Sequence, residues 1–157
     1  MSEEECFRHN NTVVGTLADR SLTMAVSAKW HTYPGRFRWI EEHGLALEYT
    51  PDPQALHLLK EHTAGFLEAG IPIRYHALFA EYEIAHRDDS LAEKAIEKHL
   101  SLLEEIHGWG GQVVTLHVCH SSRSRTGAYD AGKVPRNLSR LVARARRLNI
   151  TVALENL

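Results

Sequence analysis

The sequence predicts an α/β protein whose parallel strands are joined by crossover helices. Short runs rich in Val, Ile, Leu and Tyr alternate with longer runs in which apolar residues recur at helical spacing. The connections between them are short and carry Pro, Gly, Asp or Asn. Alternation of this kind favours a parallel sheet, because two parallel strands need a crossover, which is usually helical.

Leu22–Ala28 reads as the first strand, after an irregular N-terminal segment over residues 1–21. A loop with Pro34 and Gly35 leads to a short helix over Phe37–His43, stopped by Gly44. Leu45–Tyr49 is the second strand. Asp52 then predicts an N-cap with Pro53 in the first helical position. The helix behind it places Leu56, Leu59, Thr63, Phe66 and Leu67 on one face and stops at Gly70. Ile71–Ala77 is the third strand. Ser90 and Glu93 form a capping-box pattern opening a long helix, whose stripe is Ile96, Leu100, Leu103 and Ile106, ending at Gly108. Gln112–Val118 is the fourth strand. Asn137 is the expected cap of a helix with Leu138, Leu141, Val142, Ala145 and Leu148 on one face, and Ile150–Leu154 is the fifth strand.

Composition narrows the function classes. The chain has 157 residues, 43% of them hydrophobic, enough for one domain with an apolar core over residues 22–157. Its net charge of −2 argues against a dedicated nucleic-acid or membrane-surface protein. No apolar run of about 18 residues is present, so no transmembrane helix is expected. The acidic start, Met1-Ser2-Glu3-Glu4-Glu5, is unlike a signal peptide, and Cys6 and Cys119 make no disulfide framework; both observations point to the cytoplasm.

Strand parity carries the most information about chemistry. Val113, Thr115 and His117 share one face of the fourth strand, and Thr151, Ala153 and Glu155 one face of the fifth. Arg74 and His76 stand opposite Ile73 and Tyr75 in the third, and Glu48 opposite Leu47 and Tyr49 in the second. Four strands therefore each present an ionisable residue near the carboxyl end on the less aliphatic face, where α/β folds place their sites. Histidine and glutamate are also good ligands for zinc and other divalent ions.

Other features are weaker. His117, Cys119 and His120 form a His-x-Cys-His cluster that could bind a metal or host a thiol nucleophile. Gly108-x-Gly110-Gly111 precedes a strand rather than following one, so it reads as a helix stop and turn. Residues 120–147 carry Arg123, Arg125, Lys133, Arg136, Arg140, Arg144, Arg146 and Arg147 against Asp130 alone. That run is either an anion site, for a phosphate or a nucleic-acid backbone, or a solvated helix face. Tyr129 is its one aromatic residue. Trp30, His31 and Tyr33 follow the first strand, where aromatics line a pocket or pack over its mouth.

The segments Arg74-Tyr75-His76-Ala77-Leu78-Phe79, Val113-Val114-Thr115-Leu116-His117 and Val152-Ala153-Leu154-Glu155-Asn156-Leu157 resemble the xylose isomerase-like TIM-barrel superfamily, including its endonuclease IV branch. Glu83-Ile84-Ala85-His86-Arg87-Asp88 resembles the loop that follows strand three in that group. The resemblance runs from Leu22 to Leu157 and implies a partial (β/α)₈ TIM barrel of about five strands, a complete barrel needing about 250 residues. It implies metal-dependent isomerisation or epimerisation of a sugar or sugar phosphate, with zinc, manganese or magnesium as cofactor. His76, His117 and Glu155 match metal-ligand positions, Glu155 also being the catalytic candidate, and Glu48, Trp30 and Arg74 are substrate-binding candidates. In that group, strands after the fifth supply further ligands and a second catalytic carboxylate. The 157-residue chain is accordingly expected to hold metal weakly or not at all, to turn over little sugar, and to cover its open edges by forming a homo-oligomer. The alternatives are a metal-dependent phosphodiesterase acting on abasic DNA, and a non-catalytic assembly fragment.

Overall fold

A computed structural model describes residues 24–77, 82–118 and 128–155. Five parallel strands form one sheet in sequential order: β1 (Ala25–Lys29), β2 (Ala46–Thr50), β3 (Ile73–Ala77), β4 (Val113–His117) and β5 (Thr151–Glu155). The crossovers carry α1 (Phe37–Glu42), α2 (Leu59–Glu68), α3 (Asp89–Gly108) and α4 (Val134–Arg147). No helix among the described residues is long and apolar enough to cross a membrane. The irregular segment expected over residues 1–21 lies outside the described residues, as do Leu22, Cys119, His120, Arg123 and Arg125.

One sheet face is packed dry. Ala28, Leu47, Tyr49, Tyr75, Ala77, Val114 and Leu116 alternate along their strands and are all buried in the main core. Helices supply the facing layer, with Ile40 from α1, Leu59 and Phe66 from α2, Ile96, Leu102, Leu103 and Ile106 from α3, and Leu141 and Ala145 from α4. Each fully buried aliphatic or aromatic side chain contributes about 1.5–3 kcal/mol of transfer free energy, so this face fixes the strand register. The turn after α3 is also fitted closely. A Cβ on Gly111 would stand 2.6 Å from the Ile106 side chain and 2.7 Å from the Tyr75 ring.

Strand and helix types agree with the sequence reading, while several ends move. β1 starts at Ala25, where pairing with Ala46 begins, and runs on to Lys29 opposite Thr50. β3 starts after Pro72, which has no N–H to donate to the ladder although its carbonyl accepts from Leu47 N at 2.9 Å. The expected helix caps are corrected. Asp52 Oδ1 accepts from Gln54 N at 2.9 Å and closes a local turn, and α2 begins only at Leu59, after a 3-10 turn over Leu56–Leu58. The cap of α3 is Asp88, which accepts from Leu91 N at 3.0 Å, so Ser90 lies inside the helix. Asn137 likewise sits inside α4, where its Nδ2 donates to Ile84 O at 2.7 Å, fastening α4 to the segment after β3.

His99, on the buried face of α3, is a core residue that the apolar stripe did not indicate. Its Nδ1–H donates to Ala95 O at 2.8 Å, and burial pushes its pKa below the ordinary imidazole value. The native state therefore holds His99 neutral in a range where the unfolded chain takes up a proton. Stability should be level above about pH 6.5 and fall as the pH drops below it. Denaturant titrations at about pH 7.5 and about pH 5.5 should show this loss, and His99→Gln should flatten it. An unchanged pH slope in the variant would exclude the assignment.

Among the described residues both outer strands, β1 and β5, have one unpaired edge, and Leu154 on β5 is 51% exposed. Unpaired edges and exposed apolar strand residues favour association. Light scattering should find a dimer or larger species. A monomer melting cooperatively above about 65 °C would contradict this expectation.

Candidate metal centre

The polar sheet face is the necessary complement of the packed one. Once Tyr75 and Ala77 turn towards the helices, Arg74 and His76 must turn the other way. In register, Glu48 lies beside Arg74, His76 beside Thr115, and His117 beside Glu155. His76 is thus one strand over from His117 and two residues nearer the amino ends, so its ring reaches up beneath that of His117. The two imidazoles meet edge to edge through their Nε2 atoms, with centroids 4.7 Å apart and planes within 17° of parallel.

The three donors converge. Glu155 Oε2 lies 3.3 Å from His76 Nε2 and 3.4 Å from His117 Nε2, and the two Nε2 atoms are 2.5 Å apart. Tetrahedral zinc with bonds of about 2.0–2.1 Å to nitrogen and oxygen separates its ligands by about 3.3–3.4 Å. The Glu155 distances already match that spacing, and the histidine pair would open by roughly 0.8 Å to reach it. Two imidazole nitrogens and one carboxylate oxygen also leave a fourth position for water or substrate. The histidine side chains are 11% and 9% exposed, whereas Glu155 on the edge strand is 46% exposed. The donor set therefore fits a divalent ion.

A second group lies against the first. Glu48 Oε1 is 3.2 Å from His76 Nδ1, and Glu48 Oε2 is paired with Arg74 Nη2. Parity placed Glu48 and Arg74 on the correct face, but their contact with each other and with His76 depends on cross-strand register, which the sequence does not print. Buried Thr50 and Thr115 share this face; parity already placed Thr115 there, whereas Thr50 lies beyond the expected end of the second strand. Trp30 lies at the rim after β1, 41% exposed, with its ring edge-on to His31 at 5.0 Å. Tyr33 belongs to the opposite layer, where it packs on Tyr49, His62 and Phe66.

Loops after β3 and β4 are tied to each other beside this edge. His86 and Tyr129 form an antiparallel bridge, Arg87 N donates to Ala128 O at 2.7 Å, and Asp130 N donates to Ala85 O at 2.8 Å. Tyr129 is thereby built into a backbone bridge. The basic run also has acidic partners that the local sequence hides. Arg140 forks onto both carboxylate oxygens of Glu93, Arg144 pairs with Glu104, and Lys133 reaches Asp89 at 2.7 Å. Arg140 holds the Glu93 carboxyl below its ordinary pKa, and Lys133 does the same to Asp89. Lys133, just before α4, and Arg140 and Arg144 within it are thus engaged by carboxylates of α3.

No protein-family pattern matches the sequence, and no curated protein matches it. Solved structures do match. A Thermus thermophilus protein soaked with ZnCl2 aligns with a TM-score of 0.69 at 16% identity, over 86% of this chain and 56% of that one. A D-psicose 3-epimerase with D-tagatose from Clostridium cellulolyticum aligns at 0.67 and 13% identity, over 85% and 52%. A xylose isomerase-like TIM barrel protein from Mycobacterium smegmatis in complex with magnesium aligns at 0.56 and 16% identity, over 81% and 47%. The chain spans about half the length of these structures. At such identities the likeness shows the fold alone, a partial TIM barrel.

The paired arginines generate one expectation. Any salt-sensitive gel shift of a duplex containing an abasic site should not depend on Arg140 and Arg144, because both already face carboxylates. A shift that weakens steeply with salt and is lost in the double variant Arg140→Ala, Arg144→Ala would overturn it.

Proposed function

We propose that this chain is a metal-dependent sugar isomerase or epimerase-like protein, with its ion held by His76, His117 and Glu155. The observation that carries the reading is the convergence of His76 Nε2, His117 Nε2 and Glu155 Oε2 at the carboxyl ends of three adjacent parallel strands. Two imidazoles and one carboxylate favour zinc, with manganese next and magnesium, which prefers all-oxygen shells, last. Solved structures of the same fold include epimerases, among them the one with D-tagatose, which supports a small sugar or sugar phosphate as substrate.

A bound ion would polarise the carbonyl and the adjacent hydroxyl oxygen of the sugar, acidifying the C–H of the hydroxyl-bearing carbon next to the carbonyl. His76 and His117 supply neutral nitrogens on the interior strands β3 and β4 and fix one side of the pocket. Glu155, on the edge strand, supplies the carboxylate closest to open space and is the candidate for moving the proton. Isomerisation and epimerisation commonly need a carboxylate on each side of the reacting carbon. Among the described residues the second carboxylate at the cluster is Glu48, and both of its oxygens are engaged, one by Arg74 and one by His76. A small sugar in a cytoplasmic setting, acted on by an assembly larger than one such chain, is the reading these features support.

Ordering Glu155 for coordination costs about 1–2 kcal/mol in backbone freedom, so metal binding should be weaker than in a site whose ligands are all on interior strands. Calorimetric titration with ZnCl2 should give one weak site per chain, and His117→Ala should abolish the signal. Ketohexose epimerisation by the purified 157-residue chain should be negligible, with or without zinc. No zinc signal in the wild type, or binding indifferent to His117→Ala, would remove the basis of the proposal.

A further inference from the structure

Glu48 and Arg74 stand on the same sheet face as the three donors, on the two strands that precede His117 and Glu155 in the sheet order. The ion pair between Arg74 Nη2 and Glu48 Oε2 orients the carboxylate, and Oε1 is then left 3.2 Å from His76 Nδ1. A carboxylate accepts and does not donate, so a carboxylate oxygen at this ion-pair distance favours a proton on Nδ1. An imidazole protonated at Nδ1 keeps a lone pair on Nε2. Nε2 is the His76 atom that faces both His117 and Glu155.

We infer that Glu48 is a positioning residue that fixes His76 as its Nδ1–H tautomer, with Arg74 as the anchor that holds Glu48 in place. The inference rests on reading His76, His117 and Glu155 as the metal ligands. It assigns Glu48 and Arg74 to the support of a ligand rather than to contact with a sugar. Three features of the chain agree with that assignment. Both Glu48 oxygens are occupied, its side chain is only 16% exposed, and it approaches the imidazole on the side away from the other donors. A carboxylate behind a ligating histidine also makes the opposite nitrogen more basic, which strengthens its bond to a cation. With His76 Nδ1–H committed to Glu48, the hydrogen between the two Nε2 atoms belongs to His117.

The tautomer can be read without any metal. In chelator-treated protein with ¹⁵N-labelled histidine at about pH 8.5, where an ordinary imidazole is neutral, long-range ¹H–¹⁵N correlation should show His76 with a protonated Nδ1 and an unprotonated Nε2. Glu48→Ala should return His76 to the Nε2–H form. Glu48→Gln, whose amide oxygen still accepts from Nδ1–H, should keep the native tautomer. Arg74→Met should leave a mixture of the two forms. Zinc affinity, measured by competition with a chromophoric chelator, should fall about 10–100-fold in Glu48→Ala and less in Glu48→Gln. Wild-type His76 protonated at Nε2, or at both nitrogens, overturns the inference, as does an unchanged tautomer in Glu48→Ala. If Glu48→Ala fails to fold, the wild-type and Glu48→Gln spectra decide alone. An Nδ1–H wild type that takes up no zinc upholds the role of Glu48 and overturns the metal reading, whereas an Nε2–H wild type that binds zinc does the reverse.

Discussion

Side-chain alternation along a parallel sheet with one dry face is the constraint on which the rest depends. In β3, Ile73, Tyr75 and Ala77 point towards the helices, with Tyr75 and Ala77 almost completely excluded from solvent. Slipping that strand by one residue would drive Arg74 and His76 into the aliphatic layer and expose the Tyr75 ring. An unpaired charge in an apolar layer costs several kcal/mol, and the lost ring burial adds about 1.5–3 kcal/mol. A single strand slip would therefore consume much of the stability of a domain this size. Because β2, β3 and β4 are all held this way, the polar residues between the packed positions have no freedom over which side they occupy. Helix packing on one face thus determines the chemistry available on the other.

That constraint fixes side but not reach. His76 is level with Thr115, and His117 with Glu155, so convergence also needs the strands to be in a particular register. The interhelical contacts contribute here. Arg140 on Glu93 and Arg144 on Glu104 tie α4 to α3, and Asn137 fastens α4 to Ile84. Exposed ion pairs of this kind are individually worth little. Buried Asn137 matters more, since removing it would leave the Ile84 carbonyl without this donor in a dry place. The loops on the carboxyl side are laced to one another as well, through the His86–Tyr129 bridge.

Most of the fold, and the side on which the candidate site lies, could be read from the sequence, for a local reason. A five-residue strand displays its own alternation, and Leu47, Tyr49, Tyr75, Val114 and Leu116 announce the packed face without knowledge of any partner. What the sequence hid was non-local or competitive. Asp52 is a good cap residue, yet the Asp52–Gln54 turn satisfies it first. Ser90 with Glu93 matches a capping box, yet Asp88 lies two residues earlier and Glu93 is drawn to Arg140, 47 positions away. The basic run looked unpaired for the same reason, its carboxylates lying on a different helix. His99 was missed because a polar residue in an apolar stripe is visible only once its neighbours are known to bury it.

The donors differ in how firmly the fold holds them, and this decides how a bound ion would act on the chain. His76 and His117 sit on strands paired on both sides, so their positions are largely settled by the time the sheet has formed. Among the described residues, Glu155 belongs to an edge strand paired on one side only, by its ladder with β4. An ion bridging all three would tie β5 to β3 across β4, a link that the hydrogen-bond ladder does not make. Binding to the folded state alone stabilises it by RT ln(1 + [L]/Kd), which is about 2.7 kcal/mol at a hundredfold excess of free ion over Kd. Most of that effect would be felt where local stability is least, at β5, while the interior of the sheet has little left to gain. The carboxylate that costs most to order is therefore the one through which a ligand would do most to hold β5 in the sheet.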